Sequence, residues 1–411
     1  MPGIVGFLII VPFVGYLVFA EFVARRDERR FRTDILDDDV QAQVPVASKS
    51  VVDASGWTGW RDVVVDSIQD ESVDCRSFTF RSIDGSDFPA FKGGQSILIR
   101  YPSSDDPDAK PIARCYSLSS GPGESRYRIT VKRVPGGRMS NRLHDRVNVG
   151  DVVSIQSPRG HFHIDLDHPE RPIHLIAAGI GITPMLSMLL HSLEVTPDRE
   201  VHLHYQLRDQ RNAPFLKPLR YLHQTLSKVG TFHLHVWFSR PLADEPLQVD
   251  STTGRITAPD IISHAGSTPS NADYRICGPN AFMESMATEL IAGGARDKSV
   301  QYESFGGKAK GPGVIAVKTT VNEANVDEVP VRFTLSNQDA VWSSQNQSLL
   351  DIAEASGISV DSSCRSGQCG SCIHRLTRGT VRYPQPPTCE VAPGEVILCT
   401  ARPDSDVEIE A

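Results

Sequence analysis

The sequence predicts a multidomain chain: an N-terminal transmembrane helix, an antiparallel β-barrel, a doubly wound α/β unit and a small α+β unit at the C-terminus. Three observations predict it. Residues 1–20 contain no charged side chain. From Trp57 to about Asp165 short alternating apolar runs are punctuated by Gly and Pro, and from Pro172 the pattern turns to strand–helix alternation. After a Gly- and polar-rich stretch, a final unit carries four cysteines at a distinctive spacing.

The charge-free N-terminal run Met1–Ala20 is just long enough for a membrane helix, which needs about 20 apolar residues. Pro12 is tolerable within such a helix. Arg25, Arg26, Arg29, Arg30 and Arg32 follow at once, which by the positive-inside rule puts the remainder in the cytoplasm, on the inner face of the cell membrane. A cleaved signal peptide ending at Val18-Phe-Ala20 is the alternative. It lacks a basic leading region and would require five arginines to translocate. The anchor is expected at 1–24 and a solvated, acidic linker at 25–55, containing Asp37-Asp38-Asp39.

The barrel is expected at 56–168. Its strands are read from Asp62–Asp66, Ser77–Phe80, Ser96–Arg100, Tyr127–Lys132 and Asp151–Ile155. The α/β unit is expected at 169–306, with strands at Ile173–Ala177, His202–Tyr205, Phe232–Trp237 and Tyr274–Cys277 separated by helices, the signature of a parallel sheet. A second linker is expected at 307–328 and the small unit at 329–411. Within it Ser348-Leu-Leu-Asp351 reads as a capped helix start and Gly357 as its stop.

Composition bounds the function. Hydrophobic content of 40% and charged content of 22% describe an ordinary globular chain of 411 residues. A formal net charge of -8 argues against a nucleic-acid partner. Eight cysteines are too few and too unevenly placed for a disulfide scaffold, which points to a reducing compartment.

Cys364, Cys369, Cys372 and Cys399 carry the strongest chemical signal. Three in one loop as C-x4-C-x2-C, with a distant fourth, is the spacing of a plant-type [2Fe–2S] cluster. Gly367 and Gly370 can adopt positive φ and bring backbone N–H groups toward the sulfurs. A structural zinc site is the competing reading, but zinc frameworks usually pair two separated C-x2-C knuckles. Cys389 reads as a spectator thiol. No second candidate metal site is expected: the 13 histidines form no haem or Rieske pattern, although His202 and His204 alternate on one strand, as do His233 and His235.

Upstream lie Arg114-Cys-Tyr116-Ser117-Leu-Ser, then Ala178-Gly179-Ile-Gly181-Ile-Thr183-Pro184, then Cys277-Gly278-Pro279. In order and spacing these resemble the ferredoxin–NADP reductase family of flavoprotein reductases. Residues 92–165 are most similar to the reductase half of flavohaemoglobins, and the C-terminal unit resembles plant-type ferredoxins of β-grasp fold. The resemblance implies that Tyr116 covers a flavin ring, Arg114 meets its phosphate and Ser117 hydrogen-bonds near its reactive nitrogen. A flavin needs such an aromatic face and cation. Gly137 and Ser140 resemble the family's second phosphate element. Gly179 and Gly181 make a tight turn, Thr183 is expected to cap the helix that follows and Pro184 to take its first position, where an anionic pyrophosphate can be received. The family's usual first glycine is Ala178 here. A generic strand-to-helix turn is the bland alternative for this motif.

By the same resemblance Gly278 and Pro279 neighbour the nicotinamide, and Cys277 sits near the hydride path as a polarisable thiol that need not be a nucleophile. Arg208, Ser239 and Arg240 could hold the adenosine end, without deciding between NADH and NADPH. Glu303 and Phe305 resemble the terminal acidic and aromatic element beside the flavin. The expected function is a membrane-anchored reductase. Hydride passes from NADH or NADPH to FAD, with FMN the alternative, and electrons go singly to the [2Fe–2S] cluster and on to a separate electron-acceptor protein such as an oxygenase component or a haem protein. A subunit of a membrane redox complex with a quinone or haem acceptor is the second reading, and a nicotinamide-binding redox sensor without turnover the third.

Overall fold

The computed structural model describes residues 56–411, apart from 58, 103–110, 227–230, 249, 265–268, 304–327, 344–345, 347, 359, 361, 363–364, 366, 368–369, 385–386 and 388–390. Three large sheets and one two-stranded sheet organise the described residues.

The first is a six-stranded antiparallel sheet of β1 (Arg61–Asp70), β2 (Cys75–Ser82), β3 (Ser96–Tyr101), β4 (Ile112–Ser117), β5 (Tyr127–Lys132) and β6 (Val152–Ile155), in the order β4-β3-β6-β1-β2-β5. Period-two alternation sends Val63 and Val65 of β1 and Phe78 and Phe80 of β2 into one core. Each fully buried side chain of this size contributes about 1.5–3 kcal/mol. Phe88 stacks on Tyr127 with centroids 4.3 Å apart, and the Tyr127 hydroxyl donates to the Pro89 carbonyl at 2.6 Å. Helix α1 (Arg138–Arg146) closes the core with Met139 and Leu143. The expected barrel does not close. Edge strands β4 and β5 form no ladder; just past β4, Leu118 bridges Ile129 and the Ser119 N–H donates to the Arg128 carbonyl at 2.7 Å, but the pairing goes no further and the sheet stays open.

The second sheet is wholly parallel: β7 (Ile173–Ala178), β8 (Val201–Leu207), β9 (Phe232–Phe238), β10 (Ser251–Thr253), β11 (Asp273–Cys277) and β12 (Val300–Glu303), in the order β10-β9-β8-β7-β11-β12. Helices α2 (Ile182–Val195), α3 (Leu216–Leu226), α4 (Ala258–His264) and α5 (Asn280–Ala292) alternate with the strands. Central strands β7, β8 and β11 are buried almost throughout, as strands covered on both faces must be. Strand order reverses between β7 and β11, which places a topological switch point there. A buried ion pair, Arg199 Nη2 to Asp273 Oδ2 at 3.0 Å, ties the start of β11 to the turn before β8. Arg275 donates to the His163 carbonyl at 2.8 Å, and the Gly93 N–H donates to His191 Nδ1 of α2 at 3.1 Å, so the two sheets share an interface.

The third sheet is mixed: β13 (Val329–Phe333), β14 (Gln338–Trp342), β15 (Ile373–Arg378), β17 (Glu395–Ile397) and β19 (Val407–Glu410), ordered β14-β13-β19-β15-β17. β13 and β19 pair in parallel and the other neighbours antiparallel. Short β16 (Val381–Arg382) and β18 (Arg402–Pro403) pair separately. The one helix among the described residues here, α6 (Leu349–Ala355), starts where Ser348 Oγ accepts from the Asp351 N–H at 3.2 Å. It stops at Gly357, φ 75°, with the Ile358 N–H reaching back to the Ala353 carbonyl at 2.8 Å.

No helix among the described residues is long and apolar enough to cross a membrane. The expected anchor at 1–24 and linker at 25–55 lie outside those residues. The transmembrane helix, the membrane as a partner and the inner-membrane location therefore have no support in the structure. The second linker falls almost wholly outside the described residues as well.

Candidate functional site

The C-terminal ends of the parallel strands gather most of the predicted nucleotide residues. In doubly wound sheets ligands bind at that edge, at the switch point. β7 ends at Ala178, and Gly179–Gly181 form a 3-10 turn into α2. Gly179 needs its freedom, with φ at 57°. Gly181 needs its missing side chain: a Cβ there would lie 2.5 Å from the Cys277 carbonyl carbon and 2.9 Å from the Gly278 nitrogen. A Cβ on Gly278 would in turn lie 2.8 Å from the Ala178 Cβ. Two motifs far apart in the chain thus interlock at backbone contact.

The helix start differs from expectation. α2 begins at Ile182, so Pro184 takes the third helical position, still in the first turn where a missing N–H costs nothing. Thr183 does not cap; its hydroxyl donates to the Ile180 carbonyl at 3.1 Å, and Gly181 at the N-cap offers no side chain. Tyr205, buried in β8, braces the turn by donating to the Gly179 carbonyl at 3.3 Å and the Pro214 carbonyl at 3.1 Å. Its role escaped the sequence reading because a tyrosine inside an apolar strand looks like core.

Arg208 follows β8, and Ser239 and Arg240 follow β9. Backbone bonds hold them side by side: the Ser239 N–H donates to the Leu207 carbonyl at 2.9 Å and the Arg240 N–H to the Arg208 carbonyl at 2.8 Å. Arg208 is largely exposed, with Asp209 at 3.6 Å. Cys277 closes β11 in register with Ala177 of β7 and Glu303 of β12, and Pro279 precedes α5. The Cys277 thiol is fully buried and reaches the Glu303 carbonyl at 3.4 Å. Burial, and then the Glu303 carboxylate, push it well above the ordinary thiol range, so it stays neutral. Phe305 lies outside the described residues.

On the first sheet, Arg114, Tyr116 and Ser117 lie on β4, which ladders with β3 alone and leaves its other edge outside the sheet. Arg114 and Tyr116 share a face. Arg114 is exposed and donates to the Ala113 carbonyl at 2.7 Å; Tyr116 packs against the core, and burial raises its phenol well above the ordinary value against the pull of Arg114. Ser117 is buried opposite Ser96. Gly137 stands at the N-cap of α1 with no capping side chain, which leaves first-turn N–H groups for an anion. A Cβ at Gly137 would press on Val134 and Ser140, and the buried Ser140 hydroxyl accepts from the Val134 N–H at 3.3 Å.

In the third sheet Cys372 and Cys399 are buried at the ends of the paired strands β15 and β17, and the Leu398 N–H donates to the Cys372 carbonyl at 3.1 Å. Cys364, Cys369 and Cys389 lie outside the described residues. What is described suits a cluster: Gly367 and Gly370 have φ of 72° and 69°, and Thr400 Oγ1, next to Cys399, is buried without a hydrogen-bond partner. The flavin and nucleotide segments pass the same test, through an open strand edge beside an aromatic and a cation, and through backbone contacts too close for any side chain.

Residues 62–164 match the oxidoreductase FAD-binding domain family, 175–288 the oxidoreductase NAD-binding domain family, and 334–404 the 2Fe-2S iron-sulfur cluster binding domain family. Over 264 residues the chain is 30% identical to Flavohemoprotein B of Dictyostelium discoideum and 34% identical to a flavohemoprotein of Rhodopirellula baltica. These matches cover 61% and 62% of this chain and 60% and 62% of those proteins, so the chain spans about six tenths of their length. The flavohem-like FAD/NAD binding domain of nitric oxide dioxygenase from Vibrio cholerae superposes with a TM-score of 0.53 at 29% identity, covering 60% of this chain and 99% of that one. Phthalate dioxygenase reductase superposes with a TM-score of 0.53 at 25% identity over 86% of this chain and 98% of that one.

Proposed function

We infer that this chain, an FAD- and NAD(P)H-binding reductase fused to a [2Fe–2S] ferredoxin-type domain and so an oxidoreductase of the ferredoxin-reductase type, passes electrons from NAD(P)H to a separate acceptor protein. The observation that carries this reading is the interlock of Gly181 with Cys277–Gly278 at the switch point, which builds a backbone-lined notch where a dinucleotide approaches closely. A bound flavin would supply the conversion of hydride into single electrons, and a cluster held by the cysteines would supply one-electron transfer.

The side chains position and tune. Arg114 and the first-turn amides of α1 hold flavin phosphate oxygens, Tyr116 covers the ring and Ser117 hydrogen-bonds it. The α2 start at Gly179–Pro184 receives the pyrophosphate, and Arg208, Ser239 and Arg240 take the adenosine end. Cys277 and Glu303 flank the nicotinamide, the neutral thiol as a soft contact and not a nucleophile. Phe305 completes that flank. Cys364, Cys369, Cys372 and Cys399 ligate the cluster. The domains run 56–168, 169–306 and 329–411, joined by the linker at 307–328.

The acceptor is an oxygenase component or a haem protein. The likeness to phthalate dioxygenase reductase over most of both chains supports the first, and that to flavohemoproteins over the reductase portion supports the second. Anaerobic titration of the purified protein with NADH and then NADPH tests the scheme: flavin absorbance should bleach and the visible bands of the cluster should fall after it. If neither responds to either nucleotide, the electron-transfer reading fails.

A further inference from the structure

Six histidines lie on one face of the parallel sheet or against it, near the N-terminal ends of its strands: His174 on β7, His202 and His204 on β8, His233 and His235 on β9, and His264 at the end of α4. Register pairs His174 with His202, His202 with His233 and His204 with His235. The rings of His204 and His235 stack at 4.8 Å between centroids, and those of His235 and His264 lie 3.9 Å apart. The nucleotide crest is elsewhere: His204 precedes the end of β8 by three residues, about 10 Å along the strand.

We propose that His204, His235 and His264 form a binding site for a borderline divalent transition-metal ion such as Zn²⁺, built on the parallel sheet away from the ends of its strands that carry the nucleotide residues. One nitrogen from each of the three lies within 4.8 Å of the others. A tetrahedral ion with metal–nitrogen bonds of about 2.0–2.1 Å needs neighbouring ligands about 3.3 Å apart, so binding requires a closure of roughly 1.5 Å together with a rotation of the stacked rings toward a common point.

The hydrogen bonds leave one nitrogen of each of the three rings open to a ligand. Glu200 accepts from His202 Nε2 at 2.9 Å. A neutral His202 with its proton there can only accept at Nδ1, so His235 Nε2, at 3.2 Å, donates to it. The His235 lone pair is then on Nδ1. His204 Nε2 meets His174 Nδ1 at 2.9 Å, and His204 Nδ1 is buried with no partner. His264 Nδ1 is likewise buried with no partner. Ligating imidazoles whose other nitrogen is tied to a carboxylate or a further ring are the usual outer shell of a metal site. Burial holds His204 and His235 in the neutral, ligand-competent form. A stacked core of neutral rings alone would leave His204 Nδ1 and His264 Nδ1 unexplained; His174 Nε2, also buried without a partner, lies outside the proposed ligand set.

The test uses the tag-free full chain with its flavin and cluster in place. Zinc and iron are quantified together after equilibration with Zn²⁺ and dialysis, and Co²⁺ is titrated while its ligand-field bands are followed. One zinc per chain should bind with iron unchanged. His264→Ala, at the rim, and His235→Ala should each weaken Zn²⁺ binding by at least tenfold and abolish the cobalt bands. His168→Ala, outside the cluster, should change neither. Flavin and cluster absorbance report whether each variant is folded, and if His235→Ala does not fold, His264→Ala decides alone. Zinc that appears only as iron is lost, or binding equal in wild type and His264→Ala, overturns the proposal.

Discussion

Replacing Gly181 by alanine tests the interlock at the switch point. The backbone at Gly181, φ −59° and ψ −6°, is open to any residue, so the substitution introduces a methyl group and no torsional strain. That methyl would lie 2.5 Å from the Cys277 carbonyl carbon, whereas carbon atoms pack at about 3.5–4.0 Å. The start of α2 and the end of β11 must therefore separate by about 1 Å. Overpacking of this kind costs about 1–3 kcal/mol, which lowers the melting temperature by roughly 2–4 °C per kcal/mol. A displacement of about 1 Å between reacting groups can cost about 10²-fold in rate. Stopped-flow reduction of the flavin by NADH, followed anaerobically against nucleotide concentration, should show kcat/KM down by about that factor. Reduction of the same flavin by dithionite, which needs no nucleotide site, should be unchanged. A Gly181→Ala protein with wild-type NADH kinetics would refute the assignment of this notch to the dinucleotide.

Cys399→Ser, and separately Cys372→Ser, should remove the cluster's visible bands while NADH still bleaches the flavin; full cluster absorbance in either variant would be the contrary result. Asp273→Asn leaves the buried Arg199 without its partner and should cost about 3–5 kcal/mol in denaturant titrations; a loss within experimental scatter would show that the pair is dispensable. Burial pushes His191 down from 6.5 to about 4, so the unfolded chain binds its proton first. The stabilising effect of keeping it neutral is complete above about pH 6.5 and is lost as pH falls toward 4, amounting to about 3 kcal/mol. His191→Gln, which can still accept from Gly93, should reduce the pH slope of stability by about one proton across that window, and an unaltered slope would count against it. Gly278→Ala should impair NADH kinetics as Gly181→Ala does, and Ala178→Gly should restore part of the loss, with a coupling of about 0.5–3 kcal/mol in a stability cycle. Strictly additive effects would mean that the two positions do not touch.

Signals local in sequence were legible, and those created by strand order were not. Ile173–Ala177 reads as a strand because an apolar run must be covered on both faces, and β7 extends only one residue further. Ser348 and Gly357 bound α6 as their side-chain oxygen and positive φ dictate. Thr183 and Pro184 misled because two good start signals stood together, while the 3-10 turn at Gly179–Gly181 had already brought the chain into helical geometry by Ile182. The barrel misled because alternation fixes which side chains face inward but not whether the edge strands ladder; β4 and β5 do not, and only Leu118 and Ser119 just past β4 reach β5. The apolar run at 1–24 was read from length and charge alone, and no described helix supports a membrane span. The histidine alternation on β8 and β9 was visible, yet its meaning depends on β7 lying beside β8 and on α4 delivering His264 from outside the sheet.

Ala178 shows why a departure from a motif must be judged in three dimensions. The family's first glycine is replaced here, and in sequence that looks like a narrowing of the approach to the pyrophosphate. Glycine is indispensable only where φ is positive or where a Cβ has no room. Ala178 has φ −122° and ψ 118°, ordinary extended backbone at the end of β7. Its methyl group occupies the space that a Cβ on Gly278 would need, 2.8 Å away, and Gly278 has none. The need for a glycine has moved across the switch point from β7 to the residue after β11. The positions that keep a glycine requirement are Gly179, for its torsion, Gly181, for its contact with Cys277, and Gly278, for its contact with Ala178. Thus the altered motif keeps the backbone approach that a dinucleotide needs, and the compensating residue lies in the very segment that the scheme places beside the nicotinamide.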